Sequence, residues 1–221
     1  NLDFYNMSHA EINALYAQHS VNSDVAMIEG NKGLFDGMSV TGGDANADLA
    51  KLLNLPVVLV IDTTGITRGV AALVNGYQAF DDKVNIAGII LNKVAGERHQ
   101  SKLVQAIEHY SDIPVLGAVR RSKELIIDER HLGLMPANET TQSQSFINKA
   151  AKIIADQVDL ERLIALGDVI TDKKSANIET IDNNLTVAVA KDSSFGFYYQ
   201  DDLDKFKSLG VNIQYFDTLK D

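Results

Sequence analysis

Leu55-Pro56-Val57-Val58-Leu59-Val60-Ile61-Asp62-Thr63-Thr64-Gly65-Ile66-Thr67-Arg68 is the stretch that decides the fold. Leu55 to Ile61 is apolar without alternation, and Val57, Val58, Val60 and Ile61 are β-branched. So short a run, stopped by Asp62, reads as a strand buried on both faces. From Arg68 to Phe80 apolar residues recur at three-to-four spacing, which predicts a helix. Ala87 to Leu91 and Val115 to Val119 repeat the strand signal, and Val25 to Glu29, stopped by Gly30, reads as another buried strand. Helical segments at Ala47 to Leu53 and Glu97 to Tyr110 stand between strands. Alternation of this kind predicts an α/β fold, a parallel sheet flanked by helices on both faces. Ligands bind such sheets at the carboxyl ends of the strands, so the loops after Glu29, Ile61, Leu91 and Val119 become the places to look.

Working outward, Ser8 and Glu11 have capping-box spacing, which starts a helix running to about Gln18. After Val119 the pattern turns polar, then one amphipathic helix is expected from Ser143 to Leu166, bent near Val158. Gly167 to Asn184 is rich in Asp, Lys, Asn, Thr and Ser and reads as a linker. Beyond it come a strand at Thr186 to Ala190, a helix at Leu203 to Leu209 and a strand at Val211 to Phe216. The expected organisation is a first domain over 1–166, a linker over 167–184 and the start of a second domain over 185–221. A strand, helix and strand of about 37 residues cannot bury a complete core. With Asn1 in place of an initiator methionine, a fragment of a longer protein is expected.

Composition narrows the function. Twenty basic residues against thirty acidic ones leave a net charge of −10, the wrong sign for neutralising nucleic-acid phosphates. The absence of cysteine rules out disulfides, thiolate metal sites and a cysteine nucleophile within these 221 residues. The longest wholly apolar run has seven residues, against the roughly 20 that span a bilayer. Neither nucleic acid nor membrane is an expected partner, and no signal pattern opens the chain, so a cytoplasmic location is expected.

Glu29-Gly30-Asn31-Lys32-Gly33-Leu34-Phe35-Asp36-Gly37 is the most informative motif. Its glycines permit close backbone approach to a ligand. Glu29 and Asp36 could hold a hard cation such as Mg²⁺ with its phosphates, or orient a charged substrate. The plain alternative is a surface loop whose acids face water. Asp62 is placed to meet a phosphate or a metal-bound water, and Arg68 to pair with an anionic substrate. Equally, the two fit a turn and a helix start. Asn92 carries the donor and acceptor that read a purine edge, though asparagine also forms turns. Glu97-Arg98-His99 and Glu129-Arg130-His131 repeat a triplet whose Arg98, His99 and His131 suit a polycarboxylate substrate or, as plainly, surface ion pairing. No i, i+4 histidine pair or G-x-S-x-G is present, so zinc and serine hydrolase chemistry find no support. The aromatics of Phe195 to Asp202 are expected to pack rather than bind a cofactor.

Glu29 to Gly37, Ala47 to Leu53, Pro56 to Asp62, Ala87 to Asn92 and Glu129 to Leu134, in this order and spacing, resemble the cobyrinic acid a,c-diamide synthase family. The resemblance covers almost the whole chain. It implies a P-loop NTPase fold similar to dethiobiotin synthetase, followed by the start of a class I glutamine amidotransferase-like domain. It implies ATP and Mg²⁺ as cofactors, and glutamine with a corrinoid or related tetrapyrrole polycarboxylate as substrates. ATP would phosphorylate a carboxylate, and ammonia from glutamine would displace the phosphate. By resemblance Glu29 is the Mg²⁺-associated catalytic carboxylate, Asp36 the second acidic position and Asn92 an adenine contact, with Arg98, His99 and His131 on the substrate side. Asn31-Lys32 and Arg120-Arg121-Ser122 depart from the family pattern. The family's P-loop should lie before Asn1 and its glutaminase cysteine and histidine beyond Asp221, so this chain alone is expected neither to turn over ATP efficiently nor to hydrolyse glutamine. A Ni-sirohydrochlorin a,c-diamide synthase and a non-catalytic nucleotide-binding regulatory module stay open as alternatives, as do a homodimer and a monomer.

Overall fold

The computed structural model describes residues 1–21, 23–126, 140–167, 185–192 and 194–220, with 140–143 as backbone only. His131 and most of the expected linker fall outside them. The chain divides into a larger unit, Leu2–Leu125 with Ala150–Lys173, and a smaller one containing Ile126–Lys149 and Lys174–Asp221.

The larger unit opens with α1 (His9–Ser20), whose capping box forms as expected. Glu11 Oε2 accepts the Ser8 N–H at 2.8 Å, and Ser8 Oγ accepts the Glu11 N–H at 3.3 Å. After α2 (Asn46–Leu52) come β1 (Val57–Asp62), α3 (Gly69–Phe80), β2 (Ile86–Val94), α4 (Glu97–Tyr110) and β3 (Val115–Arg120). The three strands form a parallel sheet in the order β1-β2-β3, with Leu59 beside Ile89 and Ile61 beside Leu91. The parallel α/β reading is borne out.

Both crossovers step in one direction across the sheet, and right-handed crossovers that do so place their helices on one face. Val70, Ala71 and Val74 of α3 and Leu103, Ala106 and Ile107 of α4 join one core with Leu59, Ile61, Ile89, Leu91 and Ala118. On the opposite face Val60, on the edge strand β1, is 64% exposed, whereas Val119 of β3 is buried and Gly117 lies against Val158.

Two expectations are corrected. Val25 to Glu29 is extended but forms no ladder; Ala26 and Ile28 are half-buried while Met27 is 87% exposed, the alternation of a chain lying on a surface. The expected long helix is two, α5 (Thr140–Ala155) and α6 (Leu160–Ala165). The break is held by β3. Ala118 N–H donates to the Gln157 carbonyl at 3.1 Å, Asp159 N–H donates to the Leu116 carbonyl at 2.8 Å, and Asp159 then caps α6 by accepting the Arg162 N–H.

In the smaller unit β4 (Thr186–Ala190), α7 (Gln200–Ser208) and β5 (Asn212–Phe216) form a parallel strand-helix-strand element, Thr186 beside Asn212 and Ala190 beside Phe216. Asp192, just past β4, organises the following loop. Its carboxylate accepts the N–H groups of Ser194, Phe195 and Thr218 and the Thr218 hydroxyl. These bonds, the Thr218 hydroxyl foremost, lower its pKa to about 2. The Phe195–Tyr199 rings do not pack as expected: Phe197 is 67% exposed, and Tyr198 donates its hydroxyl to the Ala190 carbonyl at 2.6 Å. Among the described residues no helix is long and apolar enough to cross a membrane.

Candidate functional site

The glycine-rich loop is built from side chains folding back onto backbone. A Cβ at Gly30 would meet the Asn46 carboxamide, one at Gly33 the Asp36 carboxylate, and one at Gly37 the Asp44 carboxylate. Asn46 Nδ2 donates to the Lys32 carbonyl at 2.7 Å, and Asp44 accepts the Met38 N–H at 2.7 Å. Asp48 accepts the N–H groups of Gly43 and Ala45 at the start of α2. Each of these neighbours is the end of a flexible side chain that can swing aside, so close approach favours glycine at the three positions without demanding it. Phe35 anchors the loop to α3, its ring 4.6 Å from that of Phe80 and 5.7 Å from that of Tyr77, nearly parallel to the latter. Glu29 and Asp36 are both exposed, at the start and on the bend of this braced loop.

At the carboxyl ends of the strands a second cluster forms. Asp62 ends β1, and Asn92 and Lys93 lie inside β2, not past it as the sequence suggested. Leu91 stands beside Ala118 and Val94 beside Arg120, so β2 uses one residue more than β3 between these pairs, a β-bulge at Asn92-Lys93. Lys93 is left-handed, with φ +57°. Three bonds hold the bulge. The fully buried Thr63 donates its N–H and its hydroxyl to the Asn92 carbonyl, at 3.0 and 2.8 Å, and Asn92 Oδ1 accepts the Lys93 N–H at 2.8 Å.

Lys93 Nζ thereby reaches Asp62 Oδ2 at 2.7 Å, while Asp62 Oδ1 accepts the Thr64 N–H at 2.9 Å. The Lys93 bond, followed by those to Thr64, holds the Asp62 carboxyl well below the usual carboxylate range. Arg121 donates to Thr64 Oγ1 at 3.3 Å, and Arg120 pairs with Glu97 at 3.2 Å. Beside them an open groove of about 820 Å³ is lined by Gln100, Arg120, Ser122, Glu124, Gln157 and Asp159 among others.

The remaining expected residues are dispersed. Arg68 is the exposed N-cap residue of α3, and Arg98 is exposed in the first turn of α4. His99 bridges two loops: Nδ1 accepts the Ala95 N–H at 3.1 Å, and Nε2 lies 2.6 Å from the Ile66 carbonyl. That pair of partners fits the Nε2-protonated tautomer and ties the β1–α3 turn to the β2–α4 turn. Asp62 and Asn92 stand side by side in the register, whereas Glu29 and Asp36 line neither the large groove nor a smaller hollow around Lys51, Asn54 and Lys83. Lys93 and Arg121 were missed. The signals for them were a cation directly after Asn92 and a pair of arginines, Arg120-Arg121, after the third apolar run.

The AAA domain family matches residues 7–127, which hold both the glycine-rich loop and the strand-end cluster. The chain belongs to this family. This AAA domain chain is also 37% identical over 232 residues to a protein of Methanococcus maripaludis (strain C7) named cobyrinate a,c-diamide synthase, covering 100% of this chain and 52% of the relative. Proteins of the same name from Magnetococcus marinus (40% identical, 99% of this chain, 49% of the relative) and Listeria monocytogenes serovar 1/2a (38%, 96% and 48%) are similar to it as well. The chain spans about half the length of these curated relatives. No solved structure matches it. The resemblance read from the sequence motifs is borne out.

Proposed function

We propose that this chain forms part of an ATP- and glutamine-dependent carbon–nitrogen ligase that converts the a and c carboxylates of cobyrinate to amides. Similarity along its full length to proteins named for that product carries the reading. The two acids on a loop braced by close glycine contacts are consistent with it. We further propose that residues 1–166 make up the nucleotide-handling and amidation domain, and 185–221 begin a glutamine amidotransferase-like domain. The enzyme works in the cytoplasm.

A carboxylate is a poor acyl donor because its leaving group would be oxide. Phosphorylation supplies a leaving group, at the cost of gathering negative charge around the reacting oxygen. Glu29 and Asp36 offer the hard carboxylate oxygens that Mg²⁺ takes, and Mg²⁺ needs only one or two carboxylates beside its phosphates. Glu29 would hold Mg²⁺, which when bound screens phosphate charge. Asp36 handles the substrate carboxyl from the bend, and Asn92 and Asp62 stand at the strand ends toward the nucleotide. Arg68, Arg98 and His131 are assigned to the substrate's further carboxylates. His99 serves that side by holding the two turns in place.

The test is amidation by a chain extended at both ends to the relatives' length, given cobyrinate, ATP and amide-labelled heavy-nitrogen glutamine. Label in two side-chain amides of the product, dependent on ATP, is expected. Unlabelled, unchanged cobyrinate would overturn the reading.

A further inference from the structure

Lys93 is the residue whose conformation its surroundings do not explain as ordinary stability. A left-handed backbone is strained for an L-residue other than glycine or asparagine. An ion pair as exposed as that between Lys93 and Asp62, whose side chains are 53% and 51% accessible, is a weak stabiliser. Glycine at this position would make the bulge without strain. Yet the bulge is fastened by Thr63 and by the Asn92 carboxamide, and what it accomplishes is to turn one ammonium toward the carboxyl end of β1. Bulges that re-aim a side chain, and strained residues held by over-determined surroundings, gather at ligand sites.

The surroundings specify the ligand. In a chain of net charge −10, Lys93, Arg120 and Arg121 collect at the ends of β2 and β3. Arg120 is paired with Glu97, whereas Arg121 approaches the neutral Thr64 hydroxyl, whose own N–H is bonded to Asp62. An ammonium has three donors, and Asp62 takes one from Lys93. From these observations we infer that Lys93, with Arg121 beside it, is the phosphate-binding cation of the strand-end site, for whose ammonium Asp62 competes. The ligand is a phosphate oxyanion, belonging either to the nucleotide or to the acyl phosphate of the proposed amidation. Only the second source rests on that reading.

Titration calorimetry on the 221-residue chain, with inorganic phosphate, ADP, acetyl phosphate and acetate as probes, tests the inference without turnover. Lys93→Gln should weaken phosphate binding about tenfold or more, the loss of one charge-assisted hydrogen bond, while Lys93→Arg keeps most of it. Asp62→Asn, by releasing the ammonium, should tighten it. Lys93→Gly should lose the anion as the glutamine variant does and yet melt no lower than the parent, which separates binding from folding. Tighter ADP assigns the site to the nucleotide, and tighter acetyl phosphate to the activated substrate. Absence of phosphate binding by the parent, equal binding by Lys93→Gln, or acetate bound as tightly as phosphate would each overturn the inference. Phosphate binding that depends on Lys93 in a protein that fails to amidate cobyrinate would leave it standing while the proposed function fell.

Discussion

Replacing Phe35 with alanine should free the acidic loop while leaving the sheet intact. Phe35 is half-buried, and its ring meets those of Phe80 and Tyr77 at 4.6 and 5.7 Å. Aromatic pairs contribute about 0.5–1.5 kcal/mol each beyond area burial, and the exposure of Phe80 places these at the low end. Half-burial of the ring adds about 1 kcal/mol. A loss of about 2 kcal/mol confined to the loop would raise its opening equilibrium roughly 30-fold. Amide hydrogen exchange reads this directly. The Asp36 N–H, bonded to the Gly33 carbonyl, and the Ala47 N–H, bonded to the Leu34 carbonyl, should exchange about 30-fold faster, while amides of Ile89 and Leu91 in β2 keep their rates. Unchanged exchange at Asp36 and Ala47 would show that the ring does not anchor the loop. An equal rise in β2 would show that it supports the whole core.

Gly117→Ala should destabilise the larger unit by about 2–4 kcal/mol, because the new methyl would fall 2.8 Å from the Gln157 carbonyl oxygen and 2.9 Å from Val158 Cα, both backbone atoms, so relief costs the hydrogen bonds that pin the α5–α6 break. Thermal unfolding checks this, and a melting temperature equal to the parent's would contradict it. Asp192 sets a pH dependence in the smaller unit. Its folded pKa, about 2, lies below the unfolded value of about 3.9, so its contribution is present above the unfolded value and is lost as pH falls through the folded one. Tyrosine fluorescence should therefore report loosening between about pH 4 and pH 2, a slope that Asp192→Asn should flatten.

The parallel sheet was legible because fully buried strands carry a signal that survives without context: Val57 to Ile61 and Ile86 to Leu91 are apolar runs too short to be core helices. The same signal failed at Val25 to Glu29, since an apolar run becomes a strand only where a neighbour takes its backbone groups. Ser8 and Glu11 were readable because a capping box is a local bargain between two side chains and two amides. The α5–α6 break was legible only as a bend near Val158; that the helix breaks there altogether follows from β3, some forty positions earlier in the chain. Asp62 and Asn92 were singled out because each follows an apolar run, and the structure sets them side by side in the register. Lys93 escaped because nothing in the residues Asn92-Lys93 says that a lysine will adopt the conformation that glycine prefers, and that choice follows from Thr63, just past the end of β1.

In the proposed reaction a substrate carboxylate is activated as an acyl phosphate before it becomes an amide. It is tested most directly by following heavy oxygen from a labelled carboxylate of cobyrinate in the protein extended to the relatives' length. One labelled oxygen should pass into inorganic phosphate for each amide formed. Amide formed with unlabelled phosphate would contradict it.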